Sequence, residues 1–292
     1  MRWVAIINPQ AGRGHNRRLQ TSLKDALKAQ SIETVVTSSA NAGIVAARQA
    51  LSRGAGIIAC GGDGTIGEIA AQVAAVKGTL AIIPTGSGND FARHLGLNTR
   101  YPLANLDLLS SGTTRLVDLG VIQFADGREK VFTTVAHWGF DGVANKWAND
   151  VTVISGTALY ILAVLRTLIS YRPQPALVAV GDKDWHGLAW LVAIGNTRNY
   201  AGGMVITPGA EIDDGQLEVC VIGASSRWRL LTKFPSVFRG THTRFPEVTS
   251  LQGASVEISG EGQLWANGEL AGLLPATVSI RPHELAVIVP TT

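Results

Sequence analysis

The first ~110 residues alternate short apolar runs with segments of helical period, and four of the connections open just where an apolar run ends. Trp3–Ile7, Ile32–Thr37, Gly56–Cys60 and Thr79–Ile83 have the length and branched content of buried strands. Leu19, Leu23, Ala26 and Leu27 recur at helical spacing, and helices are expected over Ile44–Leu51 and Ile66–Val76. This alternation dictates a parallel sheet covered by helices. All carboxyl ends of such a sheet lie along one edge, where open α/β folds bind ligands. The connections at that edge are Asn8-Pro9-Gln10-Ala11-Gly12-Arg13-Gly14, Thr37-Ser38-Ser39, Gly61-Gly62-Asp63-Gly64-Thr65 and Pro84-Thr85-Gly86-Ser87-Gly88-Asn89-Asp90. Three of the four are rich in glycine, and two lead straight into helices. Glycine lets backbone N–H groups approach an anion, and a helix N-terminus adds partial positive charge. Together they describe a phosphate cradle. Gly12 and Gly14 alone make no more than a tight turn. Asp63 is different, because an acid between glycines at a strand end has no packing reason to be there.

The second half has another rhythm. Leu116–Phe124, Val131–Trp138, Ala176–Val180, Trp190–Ile194, Leu217–Ile222, Val256–Ile258, Leu264–Ala266, Thr277–Ile280 and Leu285–Val289 read as strands, most of them separated by turn residues. A mostly antiparallel β domain is therefore expected, with helices at Ala158–Ile169 and Trp228–Phe238. The boundary is placed near Thr114, giving an α/β domain over residues 1–114 and a β-rich domain over 115–283.

Composition narrows the classes. A content of 46% hydrophobic and 16% charged residues supports a full core and excludes gross disorder. Cys60 and Cys220 lie far apart with no metal spacing, which fits a reducing cytoplasm better than a disulfide framework. The opening Met1–Pro9 reaches Asn-Pro too soon for a signal peptide and reads as a first strand. The longest apolar stretch, Ala158–Ile169, contains Arg166 and is too short to cross a bilayer. A net charge of +3 permits contact with an anionic membrane surface and gives no cause to expect a nucleic-acid partner. There is no Walker-type Gly-Lys-Ser/Thr loop, and no pair of His-Arg-Asp and Asp-Phe-Gly. The six histidines show no metal or catalytic spacing, and His137, His242 and His283 read as structural.

Asn8-Pro9-x-x-Gly12, Gly61-Gly62-Asp63-Gly64-Thr65-x-x-Glu68 and Pro84-x-Gly86-x-x-Asn89-Asp90-Phe91-Ala92-Arg93 resemble the diacylglycerol kinase catalytic-domain family, which includes bacterial soluble lipid kinases and sphingosine and ceramide kinases. The Gly-Gly-Asp-Gly-Thr core is shared with NAD kinases and resembles phosphofructokinases. The Asn89–Arg93 run is the more specific part. The likeness continues through Gly139-Phe140-Asp141, Gly195-Asn196, Gly202-Gly203, Pro208-x-Ala210-x-x-Asp213-Asp214-Gly215 and Gly268-Glu269.

The resemblance implies an ATP-dependent lipid kinase acting on a diacylglycerol-like hydroxyl, with the last strand, within 284–292, returning to the first domain. It puts ATP at Asn8, Pro9, Gln10, Ala11, Gly12, Thr37, Gly61, Gly62, Asp63, Gly64, Thr65, Ile66, Gly67, Ser87, Asn89 and Asp90. Many relatives have Thr where this chain has Ser87, and the hydroxyl is kept. It implies a structural Mg2+ site formed by the Asp214 carboxylate and the backbone carbonyls of Glu211 and Gln216, hard oxygen donors of the kind this ion prefers. Read from the residues alone, Asp213-Asp214-Gly215 is a hairpin turn. Glu269 matches the proton acceptor of the family, and Asp63 is a second candidate base.

The family often ends its catalytic turn Asp-Gly-Glu, whereas this chain has Asn267-Gly268-Glu269, which removes one charge and puts the rate in question. Asn-Gly is also a strong hairpin signal. A non-catalytic ATP- or lipid-binding regulator is the reading Asn267 favours, and a kinase of a soluble substrate such as NAD is the reading Asn89–Arg93 opposes. Arg227, Arg229, Lys233 and Arg239 flank Trp228, Leu231, Phe234 and Phe238 with no acid between them. That pattern gives either a basic face for transient contact with an anionic inner-membrane surface or a core-packing helix with solvated cations. The oligomeric state is left open.

Overall fold

A computed structural model describes residues 2–14, 17–140, 142, 162–163, 166–167 and 170–291. The chain divides into two compact units, Met1–Val117 with His283–Thr292, and Asp118–Pro282. The strand that starts at Thr113 runs unbroken to Phe124 and so crosses this division.

In the first unit β1 (Trp3–Ile7), β2 (Glu33–Val36), β3 (Gly56–Gly61) and β4 (Thr79–Pro84) alternate with α1 (Arg17–Ala29), α2 (Ala40–Leu51) and α3 (Asp63–Ala75). The strands run parallel, with β1 between β2 and β3, and β4 beside β3. β3 is buried along its whole length, as the unbroken apolar run Gly-Ile-Ile-Ala-Cys requires of a strand covered on both faces. One apolar layer gathers Ile7, Leu23, Leu27, Ile58, Ile83 and Leu106. Ser39 caps α2 by accepting the Ala42 N–H at 3.2 Å. The short helices α4 (Asp90–His94) and α5 (Leu108–Ser111) follow, then β5 (Thr113–Phe124).

The second unit continues with β6 (Glu129–Phe132), β7 (Val135–Gly139), β8 (Gln174–Val180), β9 (Lys183–Gly195), β10 (Asn199–Tyr200), β11 (Met204–Val205) and β12 (Leu217–Gly223). After α6 (Arg227–Lys233) come β13 (Val248–Gly253), β14 (Ser255–Gly260), β15 (Gln263–Ala266), β16 (Glu269–Leu273) and β17 (Ala276–Val289). The pairings within this unit are antiparallel, and β9 is the hub, bonded to β7, β8 and β12. The expected single strand Val131–Trp138 is two, because the chain bends at Thr133-Thr134. The two expected strands Thr277–Ile280 and Leu285–Val289 are instead one, β17. Its start pairs with β14, and Ala286–Val287 pair parallel with Thr79–Leu80 of the first unit's sheet. The helix expected over Trp228–Phe238 is α-helical only to Lys233 and continues as a 3-10 turn, Phe234–Arg239. Pro235 lacks the N–H that the α-helical ladder would need there. The expected helix Ala158–Ile169 lies largely outside the described residues. Among the described residues, no helix is long and apolar enough to cross a membrane.

Candidate active site

The loops after β1, β3 and β4 are fitted to one another through backbone. Thr85 N donates to Gly61 O at 2.9 Å, which ties the end of β4 to the end of β3. A Cβ on Gly86 would stand 2.5 Å from the Cα of Gly62, and one on Gly12 would stand 2.9 Å from Thr85 O. Gly12 also sits at φ +64°, a conformation that glycine adopts without strain. Gly61 is equally confined, since its Cβ would meet the Thr65 side chain at 2.6 Å. Side chains then fix what glycine leaves loose. Asn8 Nδ2 donates to Thr65 Oγ1 at 2.8 Å, while Asn8 Oδ1 accepts Gln10 N at 2.9 Å. Pro9 O accepts Gln20 Nε2, and Ala11 N returns to Asn8 O. Asn89, at φ 54°, locks the fourth loop: its Oδ1 accepts Gly86 N and its Nδ2 donates to Gly86 O, both at 2.9 Å.

Asp63 is central to this cluster. Its Oδ2 accepts Asp90 N and its Oδ1 accepts Phe91 N, both at 3.1 Å, so it caps α4 from the start of α3. That supplies the packing reason that the sequence did not reveal. Burial drives the Asp63 carboxyl upward, and the N–H groups of Phe91, Asp90 and Asn89 pull against it. As a candidate base it has both oxygens already engaged. Asp90 is buried and lies 3.9 Å from Arg93 Nε, whose guanidinium also donates to Gly88 O.

The remaining residues divide between the site and the core. Gly64 lies in the first turn of α3, where helical N–H groups still lack partners along the helix. Ile66 and Gly67 are buried further along α3, so Ile66 serves packing. Ser87 is exposed. Thr37 is buried, and its Oγ1 donates to Ile7 O at 3.2 Å. Sequence reading missed Thr85, whose Oγ1 is buried without a hydrogen-bond partner. A buried hydroxyl of this kind calls for a bound ligand or an ordered water. A cradle of loops held open for backbone, with an orphaned hydroxyl beside it, fits a phosphorylated nucleotide.

The second unit holds the other expected residues. Asn267 (φ 51°) and Gly268 (φ 80°) form a two-residue turn between Ala266 and Glu269, so the hairpin reading is correct. Asn267 does more than turn the chain. Its Oδ1 accepts the N–H and hydroxyl groups of both Thr133 and Thr134, at 3.0–3.3 Å. Glu269 opens β16, is exposed, and lies 3.7 Å from Lys130 Nζ.

In the Glu211–Gln216 turn, Asp214 Oδ1 accepts Gln216 N at 3.0 Å and Oδ2 accepts Gln252 Nε2 at 3.3 Å. Glu211 is paired with Arg198. The fully buried Asp118, which sequence reading missed, accepts Gly215 N at 2.7 Å. Its signal was an acid inside an apolar strand run. Partial desolvation raises the Asp214 carboxyl, and the like charges of Asp118 and Glu211 add to the rise against the Gln216 N–H. Among the described residues, no group of three His, Cys, Asp or Glu side chains could hold a metal. The expected set needs one carboxylate and two carbonyls, and the crowding of acids favours a hard cation, so these residues fit Mg2+.

Residues 2–122 match the model of the diacylglycerol kinase catalytic domain, and residues 134–289 match that of the YegS C-terminal NAD kinase beta sandwich-like domain. A diacylglycerol kinase of Mycobacterium tuberculosis is 35% identical, over 98% of this chain and 94% of its own length. This chain belongs to the diacylglycerol kinase family. A member from Bacillus subtilis is 25% identical over 98% of this chain and 95% of its own. The crystal structure of a diacylglycerol kinase from Bacillus anthracis, 22% identical, covers 99% of this chain and 96% of that one with a TM-score of 0.77, which shows the shared fold. The expected architecture, a parallel α/β unit followed by an antiparallel β unit, is therefore the family's own, and membership makes the chain a phosphotransferase.

Proposed function

We propose that this protein is an ATP-dependent lipid kinase that transfers the γ-phosphoryl group to a hydroxyl of a diacylglycerol-like lipid. The observation that carries the reading is the cradle in which Gly62 and Gly86 meet backbone to backbone, with Asp63 fixing the start of α4 beside them. Glycine backbone and short polar side chains make up these loops, and backbone N–H groups are what recognise phosphates. Membership of a family whose relatives are diacylglycerol kinases supports the acceptor.

Phosphoryl transfer asks the protein for position and charge rather than covalent chemistry. ATP supplies the phosphoryl group, and Mg2+ supplies charge neutralisation. The loops after β1, β3 and β4 hold the nucleotide by backbone, and Thr37, Thr65, Thr85 and Ser87 offer hydroxyls. Asp63 keeps the loops in register. Asp214, with the carbonyls of Glu211 and Gln216, would hold a structural Mg2+ within the second unit. Glu269 is the base that takes the acceptor's proton, since it is exposed and no backbone N–H occupies it, whereas Asp63 is committed. Asn267 fixes the turn that presents Glu269.

The test is a phosphotransfer screen with γ-labelled ATP and Mg2+ against diacylglycerol, monoacylglycerol, phosphatidylglycerol, sphingosine, undecaprenol and NAD. Label is expected in a glycerolipid. Transfer to NAD alone, or to nothing while ATP still binds, sinks the proposal.

A further inference from the structure

The stretch from residue 227 to 247 carries Arg227, Arg229, Lys233, Arg239 and Arg244 against the single acid Glu247, a net +4, whereas the whole chain is +3. Outside the stretch the chain therefore sums to −1, with 20 basic residues against 21 acids. All of the chain's positive excess lies in these 21 residues.

Structure decides which charges are available. Arg229 donates to both Glu247 oxygens, at 2.9 and 3.1 Å, and Lys233 Nζ donates to Glu247 Oε1 at 2.9 Å. Lys233 Nζ also lies 3.7 Å from the centre of the Phe245 ring. These two cations are spent on a clamp that holds α6 to the segment before β13. Arg227, Arg239 and Arg244 are exposed and have no acidic partner among the described residues. Arg227 reaches only the carbonyl of Tyr171, at 3.1 Å, and so keeps its full charge.

The apolar side chains divide in the same way. Leu230, Leu231, Phe234 and Val237 pack inward against a cluster that includes Phe140, Trp190, Met204 and Ile222. Trp228 does not. At 78% exposure it is the most exposed large apolar side chain among the described residues, and Phe238 is 36% exposed. Phe238 meets Phe234 edge to face at 5.8 Å, so it is braced from below. An indole left in water at the surface has no packing role in this chain.

We propose that residues 227–247 form the face by which this protein rests on an anionic lipid bilayer. Trp228 and Phe238 enter the headgroup layer, and Arg227, Arg239 and Arg244 bind its phosphates. Tryptophan is the side chain that favours the membrane–water interface, and basic residues are drawn to anionic leaflets. A polynucleotide would ask for several rings to stack successive bases, and only one indole here is freely exposed. The inference rests on the lipid-kinase reading for its biological sense, since an acceptor dissolved in a bilayer demands such a face.

Sedimentation with equimolar phosphatidylglycerol–phosphatidylcholine vesicles tests it, using the full chain. Three forms are compared with the wild type: Trp228→Ser, Arg239→Gln with Arg244→Gln, and a control, Lys24→Gln with Lys28→Gln, that removes the same charge from the exposed side of α1. The arginine pair should weaken binding roughly 25-fold, about fivefold for each charge. Trp228→Ser should weaken it several-fold, and the control should leave it unchanged. Added salt should release the wild type. Equal losses in the control and the arginine pair would mean net charge without a face. Unchanged binding in all variants, equal binding to pure phosphatidylcholine, or preference for a single-stranded oligonucleotide would each overturn the proposal. Phosphotransfer to diacylglycerol in detergent micelles, which bypasses the bilayer, is run beside it. A wild type that binds vesicles and phosphorylates no lipid sinks the kinase reading and leaves this face standing.

Discussion

Two turns carry the residues proposed for catalysis, and they are built in opposite ways. At Gly61–Thr65 the acid is structural: Asp63 spends both oxygens on backbone N–H groups from a helix start 27 and 28 residues away. At Asn267–Glu269 the neutral amide is structural, gathering four donors from Thr133 and Thr134, and the acid is exposed two residues later. A charged oxygen pair under a helix N-terminus gains from the helix dipole. A hairpin held by threonine hydroxyls and N–H groups needs acceptor lone pairs and no charge. A turn that matches the family's catalytic signature therefore includes architectural side chains, and order along the chain does not say which they are.

Asp63→Ala tests the first turn. If Asp63 is the strut described here, the variant should lose turnover and also ~2–3 kcal/mol of stability, since two hydrogen bonds to a charged acceptor disappear. Denaturant unfolding beside the turnover assay reads both. A variant with wild-type stability would return Asp63 to pure chemistry. Glu269→Gln should separate the two quantities, with turnover falling about 10²–10⁴-fold while the unfolding midpoint stays put. Full activity would remove Glu269 from the mechanism. Asn267→Ala should cost ~1–3 kcal/mol, because four donors in a buried pocket lose their acceptor. Stability within ~0.5 kcal/mol of the wild type would mean that water replaces the amide without loss. The smallest effect belongs to Asn267→Asp. A carboxylate can accept the same four donors, so stability should change by under ~1 kcal/mol. A tenfold or larger rise in turnover in that variant would show that the missing charge, not the turn, limits this protein.

The Glu247 clamp adds a pH test. Burial works to raise its carboxyl, but the hydrogen bonds from Arg229 and Lys233 outweigh that and hold it down at about 2, against an ordinary 4.5. A depressed carboxyl stabilises the fold above its unfolded value and loses that contribution as pH falls through its folded one. The clamp should therefore hold above pH 4.5 and weaken between 4.5 and about 2. Glu247→Gln should flatten the acid limb of the unfolding profile, and an unchanged limb would mean that the ion pairs contribute nothing.

The sequence revealed most where burial was uniform. β1, β3 and β4 read as continuous apolar runs because both faces are covered. β9 was seen only as Trp190–Ile194, because its first half, Lys183–Gly187, is largely exposed and carries no apolar pattern. β17 was cut in two by Arg281-Pro282-His283, which sits inside the strand without ending it. β13 and β16 were missed, since each is half-exposed and paired on one side. The loops after β1, β3 and β4 announced themselves through glycine. The link between Asp118 and Asn196 did not: Asn196 Nδ2 donates to the carbonyls of Asp118 and Thr133, a join between strands that no local spacing encodes. Glu247 was invisible for the same reason, lying 14 and 18 residues from the cations it binds.

β17 begins against β14 and finishes beside β4. Thr291 Oγ1 then reaches Ser111 O at 3.1 Å. During synthesis, the strand that completes the parallel sheet is made only after all of residues 118–282 have been translated. The first unit must therefore wait on the ribosome with β4 unpaired on one side, an open edge of the kind that invites wrong partners. A gene cut after Val117 would release that edge permanently, whereas a fusion that carries residues 283–292 directly behind Val117 would close it.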